Sequence, residues 1–452
     1  MEIPEYRPGN RIVCGSTRSG KSTGEIIDVI AAAMSFMAIV VIDPHMRSLA
    51  WNAFVQLVAR GFGKRVLFDR LSNLSRVLGY RFLRRSNATN PYRREAEDEQ
   101  SVSELIELVG RRRDVSSLAK NPQTEQFVRA ASKLVLHQKS VNAADIQFAL
   151  EPHERRFREL VNGCTDESIR STFQEIANGT IKPGQYAAAR RLISGVCQSP
   201  AFTLRCRPTF DLDAFLDNGG ILLVEGGTQG ISADTANTIM GSLALQLFHY
   251  VRSRLTAKPR VLLVMDEATN ANLIGGAGHE VRALAELQKQ GLDIHILVQS
   301  PSFPNSFIED AVFTNCVEHH WYFAANDAVA QQAARDLGDP EFRHAVRGLR
   351  RGERYVKRLT KVTREQVTPL PDPWAFPGLS EKKAYKALGE IMKRPEYWSP
   401  TSCHESPTNL PEPAESSNSP SNTSSVQDTS SELSPFQRLR IARQKNSDPT
   451  GD

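Results

Sequence analysis

The sequence predicts an α/β protein built on a central, mainly parallel β-sheet and interrupted by an all-α insertion. Three observations predict it. Short apolar runs that do not alternate in polarity recur between stretches of helical periodicity. A glycine-rich GxxxxGKS pattern sits at the first strand-to-helix junction. Between residues 90 and 205 the strand pattern stops, and charged, Arg-, Gln- and Ala-rich helical patterns take over.

The strands come in this order: RIVCG (11–15), AIVVIDP (38–44), RVLFDR (65–70), GILLVEGG (220–227), RVLLVMDEA (260–268), DIHILVQS (293–300) and VEHHWYFAA (317–325). Most are apolar throughout, as strands buried on both faces of a parallel sheet must be. Lys21 to Met34 and Asp234 to Arg254 carry apolar residues at helical spacing between them, which gives the layered α/β pattern. Helices are expected in the insertion at 101–112, 123–138, 143–161, 166–177 and 185–196. The domains that follow are a core in two parts, 1–89 and 206–372, an all-α insertion at 90–205 and a helical extension at 373–398. The remaining 399–452 is rich in Ser, Pro, Asn and Thr and is expected to be disordered. Within it, 436–446 is a short basic segment, read as a frayed tail in preference to a docking helix.

Composition excludes several classes. At 452 residues the chain is long enough for a large core with an insertion. The longest apolar runs, such as Ala38 to Ile42, fall far short of the ~18 residues of a membrane span. The start, MEIPEYRPGNR, is no signal peptide. Six cysteines without a CxxC pair argue against structural zinc or a disulfide framework and for a reducing compartment. The chain is therefore read as cytoplasmic, with any recruitment to the inner face of a membrane left to a partner. Its net charge of +5 is modest, yet arginines cluster at 84–85, 111–113, 155–156 and 350–351. Such clusters suit a polyanion, although solvated helix faces look the same.

Gly15-Ser16-Thr17-Arg18-Ser19-Gly20-Lys21-Ser22, followed by Thr23, fits the phosphate loop at every fixed position, between a strand and a helix. Its backbone N–H groups and the helix N-terminus suit phosphates, Lys21 suits the β- and γ-oxygens, and Ser22 suits Mg²⁺. A second carboxylate on the metal side is needed at the end of another buried strand. VLLVMDEA supplies Asp266 for the metal and Glu267 as the base that polarises water. Gln299, ending DIHILVQS, can contact the γ-phosphate or the lytic water at the same sheet edge.

Together with VIDPH (41–45), GLDIHILVQS (291–300) and RRGERYVKR (350–358), these motifs resemble the HerA/FtsK superfamily of P-loop ATPases, and within it the TraG/TraD-type coupling ATPases of conjugation and type IV secretion. The resemblance spans about residues 10 to 360. It implies a RecA-like core, ATP with Mg²⁺, a homohexameric ring and DNA as cargo, with a relaxase or other secretion protein as a further partner. It also implies ATP hydrolysis coupled to DNA translocation. By position the phosphate loop falls on Gly15 to Thr23, metal binding on Ser22 and Asp266, and catalysis on Lys21, Glu267 and Gln299.

The chain departs from that pattern in three places. The coupling proteins begin with membrane-spanning helices, whereas here the first core strand starts at Arg11, so anchoring is expected to be absent or supplied by a partner. Where the family carries an arginine finger, LAELQKQGL has Gln288 beside Lys289, leaving Lys289 or another residue such as Arg282 as a substitute, or trans activation that is weak. Met46-Arg47 replace the usual small and acidic residues after IDPH. The basic segment 343–364 suits either a DNA-facing pore or a solvated strand. A HerA-like DNA-processing motor is the alternative within the superfamily. A small-molecule kinase and a non-hydrolysing, nucleotide-gated scaffold are the alternatives outside it.

Overall fold

The computed structural model describes residues 3–111, 121–227, 229–254, 256–269, 284–303, 306–375 and 380–400. All seven expected strands form: β1 (Arg11–Cys14), β2 (Ala38–Asp43), β3 (Val66–Arg70), β5 (Ile221–Glu225), β6 (Val261–Met265), β7 (Leu292–Val298) and β8 (Glu318–Trp321). They pair in parallel in the order β8-β1-β7-β6-β2-β5-β3. Every residue of β1, β2, β5, β6, β7 and β8 is buried; β2, β5 and β6 are accordingly almost wholly apolar, whereas β7 and β8 bury Asp293, His295, Glu318, His319 and His320 as paired polar groups.

Two antiparallel strands, β9 (Glu353–Arg358) and β10 (Lys361–Gln366), extend the sheet beyond β8 to nine strands. Sequence patterning showed this hairpin only as a basic segment, because ERYVKR and KVTREQ hold few apolar residues. They are held by backbone pairing to each other and to β8, and cross-strand ion pairs such as Arg358 to Glu365 at 2.7 Å and Arg364 to Glu353 at 2.9 Å match their charges. A second, two-stranded sheet joins β4 (Val77–Leu78) to β11 (Tyr397–Trp398).

The helix α1 (Lys21–Met34) leads back from β1, and α2 (Leu49–Ala59) follows β2. The described residues between 91 and 217 are helical apart from turns, with two departures from expectation. The helix expected from 101 begins at Pro91 (α3, Pro91–Arg111). There the Asn90 side chain accepts the N–H groups of Tyr92 and Arg93 at 2.9 and 3.2 Å, and proline suits a first helical position. The single helix expected over 143–161 is instead a 3₁₀ turn, Ala143–Phe148, and a helix, Arg155–Gly163. Pro152 between them removes a backbone donor and disfavours helix at Glu151. The other insertion helices are Pro122–Leu136, Glu167–Ala177 and Pro183–Cys197.

The outer side of β3 is covered. The Tyr397 hydroxyl accepts the Phe68 N–H at 2.7 Å and donates to the Phe68 carbonyl at 3.0 Å. Arg394 donates to the carbonyls of Val66 and Gly63 at 2.9 and 2.8 Å. These side chains satisfy an edge that would otherwise pair with another strand. Among the described residues no helix is long and apolar enough to cross a membrane. The expected disorder of the tail and its basic segment 436–446 lie outside the described residues.

Candidate active site

The parallel register brings the carboxyl ends of β1, β7, β6 and β2 to one edge of the sheet, where ligands bind in open α/β folds. The loop 15–20 leaves β1 there. Gly15 donates to the Val298 carbonyl at 3.2 Å and Ser16 to the Phe323 carbonyl at 2.8 Å, anchoring the loop on both neighbouring strands. Gly20 has φ 109°, and a Cβ there would come within 2.9 Å of the Gly352 backbone, so only glycine fits. Arg18 adopts the left-handed region with φ 65°. Thr17 and Arg18 are exposed, and Ser16, Ser22 and Thr23 are half-buried.

Two polar groups of the loop are poised for an anion. The Ser19 hydroxyl is buried and has no hydrogen-bond partner among the described residues. The Lys21 ammonium turns back onto the loop itself, donating to the Gly15 carbonyl and, at 3.3 Å, to that of Ser16. Burial lowers the Lys21 pKa, while Glu267 and Asp266 oppose that shift. Bound phosphates would accept from both groups, so the loop fits a nucleotide.

Asp266 and Glu267 follow β6 directly. The Asp266 N–H continues the ladder to the Ile42 carbonyl at 2.9 Å, and its carboxylate accepts the Glu267 N–H at 3.1 Å. Burial, then the neighbouring Glu267 charge, pushes Asp266 up to about 6. Glu267 is 5% exposed and sits at φ 48°, a strained backbone for a residue with a side chain. Gln299, one residue past β7, donates from Nε2 to Glu267 Oε1 at 2.8 Å. The structure thus brings Lys21, Asp266, Glu267 and Gln299 to one place, from segments up to some 280 residues apart in sequence.

Asp43, at the end of β2, belongs to the same cluster. Its carboxylate accepts the N–H groups of His45 and Ala50, both at 2.9 Å, and so caps the loop before α2. Burial and the charge of Asp266 hold its pKa well above the ordinary value. VIDPH marked the place, but nothing local in the sequence tells that the two strand ends adjoin. Met46 and Arg47 are used structurally: Met46 fills the space a Cβ on Gly227 would need, and the Arg47 N–H donates to Glu225 at 2.7 Å.

Gln288 and Lys289 are not brought to this site. They precede β7 and lie at the opposite, amino-terminal edge of the sheet, with Gln288 half-buried near Gly9 and Lys289 exposed. Arg282 lies outside the described residues.

Behind the loop, α1 and the strands share a buried ionic network that the sequence did not disclose. Arg11 pairs with Asp28 at 2.5 Å and Glu318 at 3.0 Å, and Glu25 bonds His295 at 2.8 Å. Arg354 donates to His320 Nδ1 at 3.0 Å, Tyr322 at 3.2 Å and Glu365 at 3.0 Å. Glu25, Asp28 and His295 lie close enough together for a metal ion, but Arg11 and His295 already serve the two carboxylates. The geometry is that of an ion-pair network.

A core of this topology with a phosphate loop at its sheet edge has the RecA-like P-loop fold. No protein-family model matches the chain, and no curated protein matches it in sequence. Its structure is similar to the bacterial conjugative coupling protein TrwBdeltaN70 in its unbound monoclinic form, with TM-score 0.58 and 13% identity over 82% of this chain and 90% of that one. It is also similar to the plasmid coupling protein TrwB in complex with ADP and Mg²⁺, with TM-score 0.58 and 12% identity over 82% and 91% of the chains. VirB4 of Thermoanaerobacter pseudethanolicus gives TM-score 0.55 and 12% identity over 80% and 90%. At these identities the likeness is one of fold, the fold that the resemblance to TraG/TraD-type proteins implied.

Proposed function

We propose that the chain is an ATP-hydrolysing motor that moves or recruits DNA, of the coupling type that serves conjugative transfer or type IV secretion. The observation that carries this reading is the 2.8 Å hydrogen bond between Gln299 and Glu267 beside the phosphate loop. A strand-end carboxylate held by a strand-end amide suits activation of water, for which a kinase has little use.

The loop from Gly15 to Thr23 would wrap the phosphates, with Lys21 leaving its own loop carbonyls to meet the β- and γ-oxygens. Ser22 and Asp266 would hold Mg²⁺, which when bound offsets the phosphate charge. Glu267 would orient and polarise the attacking water, and Gln299 would report the change at Glu267 to β7. The ring, the DNA cargo and a secretion partner at the membrane's inner face are what the resemblance to TraG/TraD-type proteins implies, and a fold shared with the conjugative coupling protein TrwB and with VirB4 supports that reading. In this reading the helices between 90 and 205 form the insertion domain.

The test is ATP turnover with and without long DNA. Strong stimulation supports the motor, and turnover that requires a metabolite supports a kinase instead. A second reading, a nucleotide-gated scaffold, is favoured by one observation: Gln288 stands where the resemblance places a finger. Tight ATP binding without turnover, in the presence of DNA, supports that scaffold.

A further inference from the structure

Most basic residues of the segment 343–364 are neutralised within it or nearby. Arg343 and Arg347 bond Asp327 at 2.6 and 3.3 Å, Arg354 and Arg358 bond Glu365 at 3.0 and 2.7 Å, Lys357 bonds Asp336 at 3.1 Å, and Arg364 bonds Glu353. Arg350 and Arg351 differ. Both are exposed, and among the described residues neither guanidinium makes a hydrogen bond or an ion pair, the Arg350 charge acting on Glu353 only from a distance. The same holds for Arg18 in the phosphate loop.

These three arginines belong to one place. Gly352 donates its N–H to the Ser19 carbonyl at 2.8 Å, so Arg18 and Arg351 each lie one residue from that hydrogen bond. The close approach of Gly20 and Gly352 fixes the same contact. The turn is also held from within, because Glu353 donates its N–H to the Arg350 carbonyl at 2.9 Å and accepts the Arg350 N–H at 2.8 Å. Its backbone is fixed while its guanidinium groups make no hydrogen bond among the described residues. Arg18 occupies a left-handed conformation that glycine would adopt at less cost, and such strain gathers at functional sites.

We infer that Arg18, Arg350 and Arg351 form a rim that grips the polyphosphate chain of the nucleotide bound in the same subunit. This rests on nucleotide binding at the loop, as proposed above. Three like charges beside a phosphate site repel one another until an anion arrives. Guanidinium groups suit that anion because they bond phosphate oxygens in pairs. The rim supplies from within the chain positive charge that Gln288 cannot supply from a neighbour. Since Gly352 leads directly into β9, the grip also ties the hairpin to nucleotide occupancy.

Fluorescent N-methylanthraniloyl-ATP, titrated into the full chain and its variants, tests the rim. Arg18→Gly should weaken binding about tenfold while leaving Tm unchanged or higher, because a charge-assisted contact is lost and backbone strain relieved. The double variant Arg350→Ala/Arg351→Ala should weaken it at least as much, and Lys21→Ala should abolish it. If Lys21→Ala loses binding but the rim variants keep the wild-type Kd, the rim is wrong and the loop stands. A wild-type chain that binds no nucleotide overturns both readings.

Discussion

The core buries two clusters of charge, and they are built on opposite principles. The network of Arg11, Asp28, Glu318, Glu25 and His295 matches carboxylates with cations. Burial opposes ionisation of Glu318, yet its His320 hydrogen bond and the Arg11 charge hold it well below the usual carboxylate range. At the strand ends Asp43 and Asp266 stand together with Glu267, and burial raises the first two. Asp28 is the exception within the matched network, since burial raises it despite Arg11. Clusters that satisfy themselves hold a fold together. Clusters left in mutual repulsion wait for a cation or a phosphate.

Four substitutions sharpen that contrast. Glu267→Gln should keep nucleotide binding but lower turnover by about 10²–10⁴-fold, as loss of a general base does. Unchanged turnover would sink the assignment of the base. Next, Arg11→Ala should destabilise the chain by about 3–5 kcal/mol in a urea titration, because it strands buried carboxylates. A loss under about 1 kcal/mol, the level of a surface pair, would show that the network is not the support described.

Asp266→Asn should act in the opposite direction. The folded carboxyl titrates near 6 against an ordinary 3.8, so its ionisation disfavours the fold, and stability from this group rises as pH falls from about 7 towards 4. Removing the charge should stabilise the nucleotide-free chain at pH 7.5 by on the order of 2 kcal/mol while abolishing hydrolysis. It should also flatten the gain in Tm that the wild type shows between pH 7.5 and 5.5, and a variant that keeps that gain would refute the assignment. The smallest effect is expected at the covered sheet edge. Tyr397→Phe should cost about 1 kcal/mol by leaving the Phe68 N–H and carbonyl without the hydroxyl.

Most of the strands were legible because burial on both faces forces continuous apolar runs, and the loop because phosphate binding fixes its glycines. Gln299 was legible as a strand end, but its bond to Glu267 was not, since pairing order is no local property of sequence. The β9–β10 hairpin was hidden for a related reason. Its arginines are held by Glu365 and Glu353 across the turn, so a strand whose charges are matched by ion pairs reads as a basic surface. Helical spacing alone predicts one helix over 143–161, and Pro152, which lacks the N–H a helix interior needs, divides it.

The place of β1 in the sheet has a consequence for biosynthesis. Arg11 pairs on one side with His295 and on the other with Glu318. As the chain leaves the ribosome, its first strand must wait for nearly the whole core before either neighbour exists, and pairings this distant in sequence form slowly. Until then the RIVC segment is an apolar strand with two open edges. A nascent chain halted before residue 292 therefore exposes an unpartnered β1, and such a fragment should require a holdase to stay soluble.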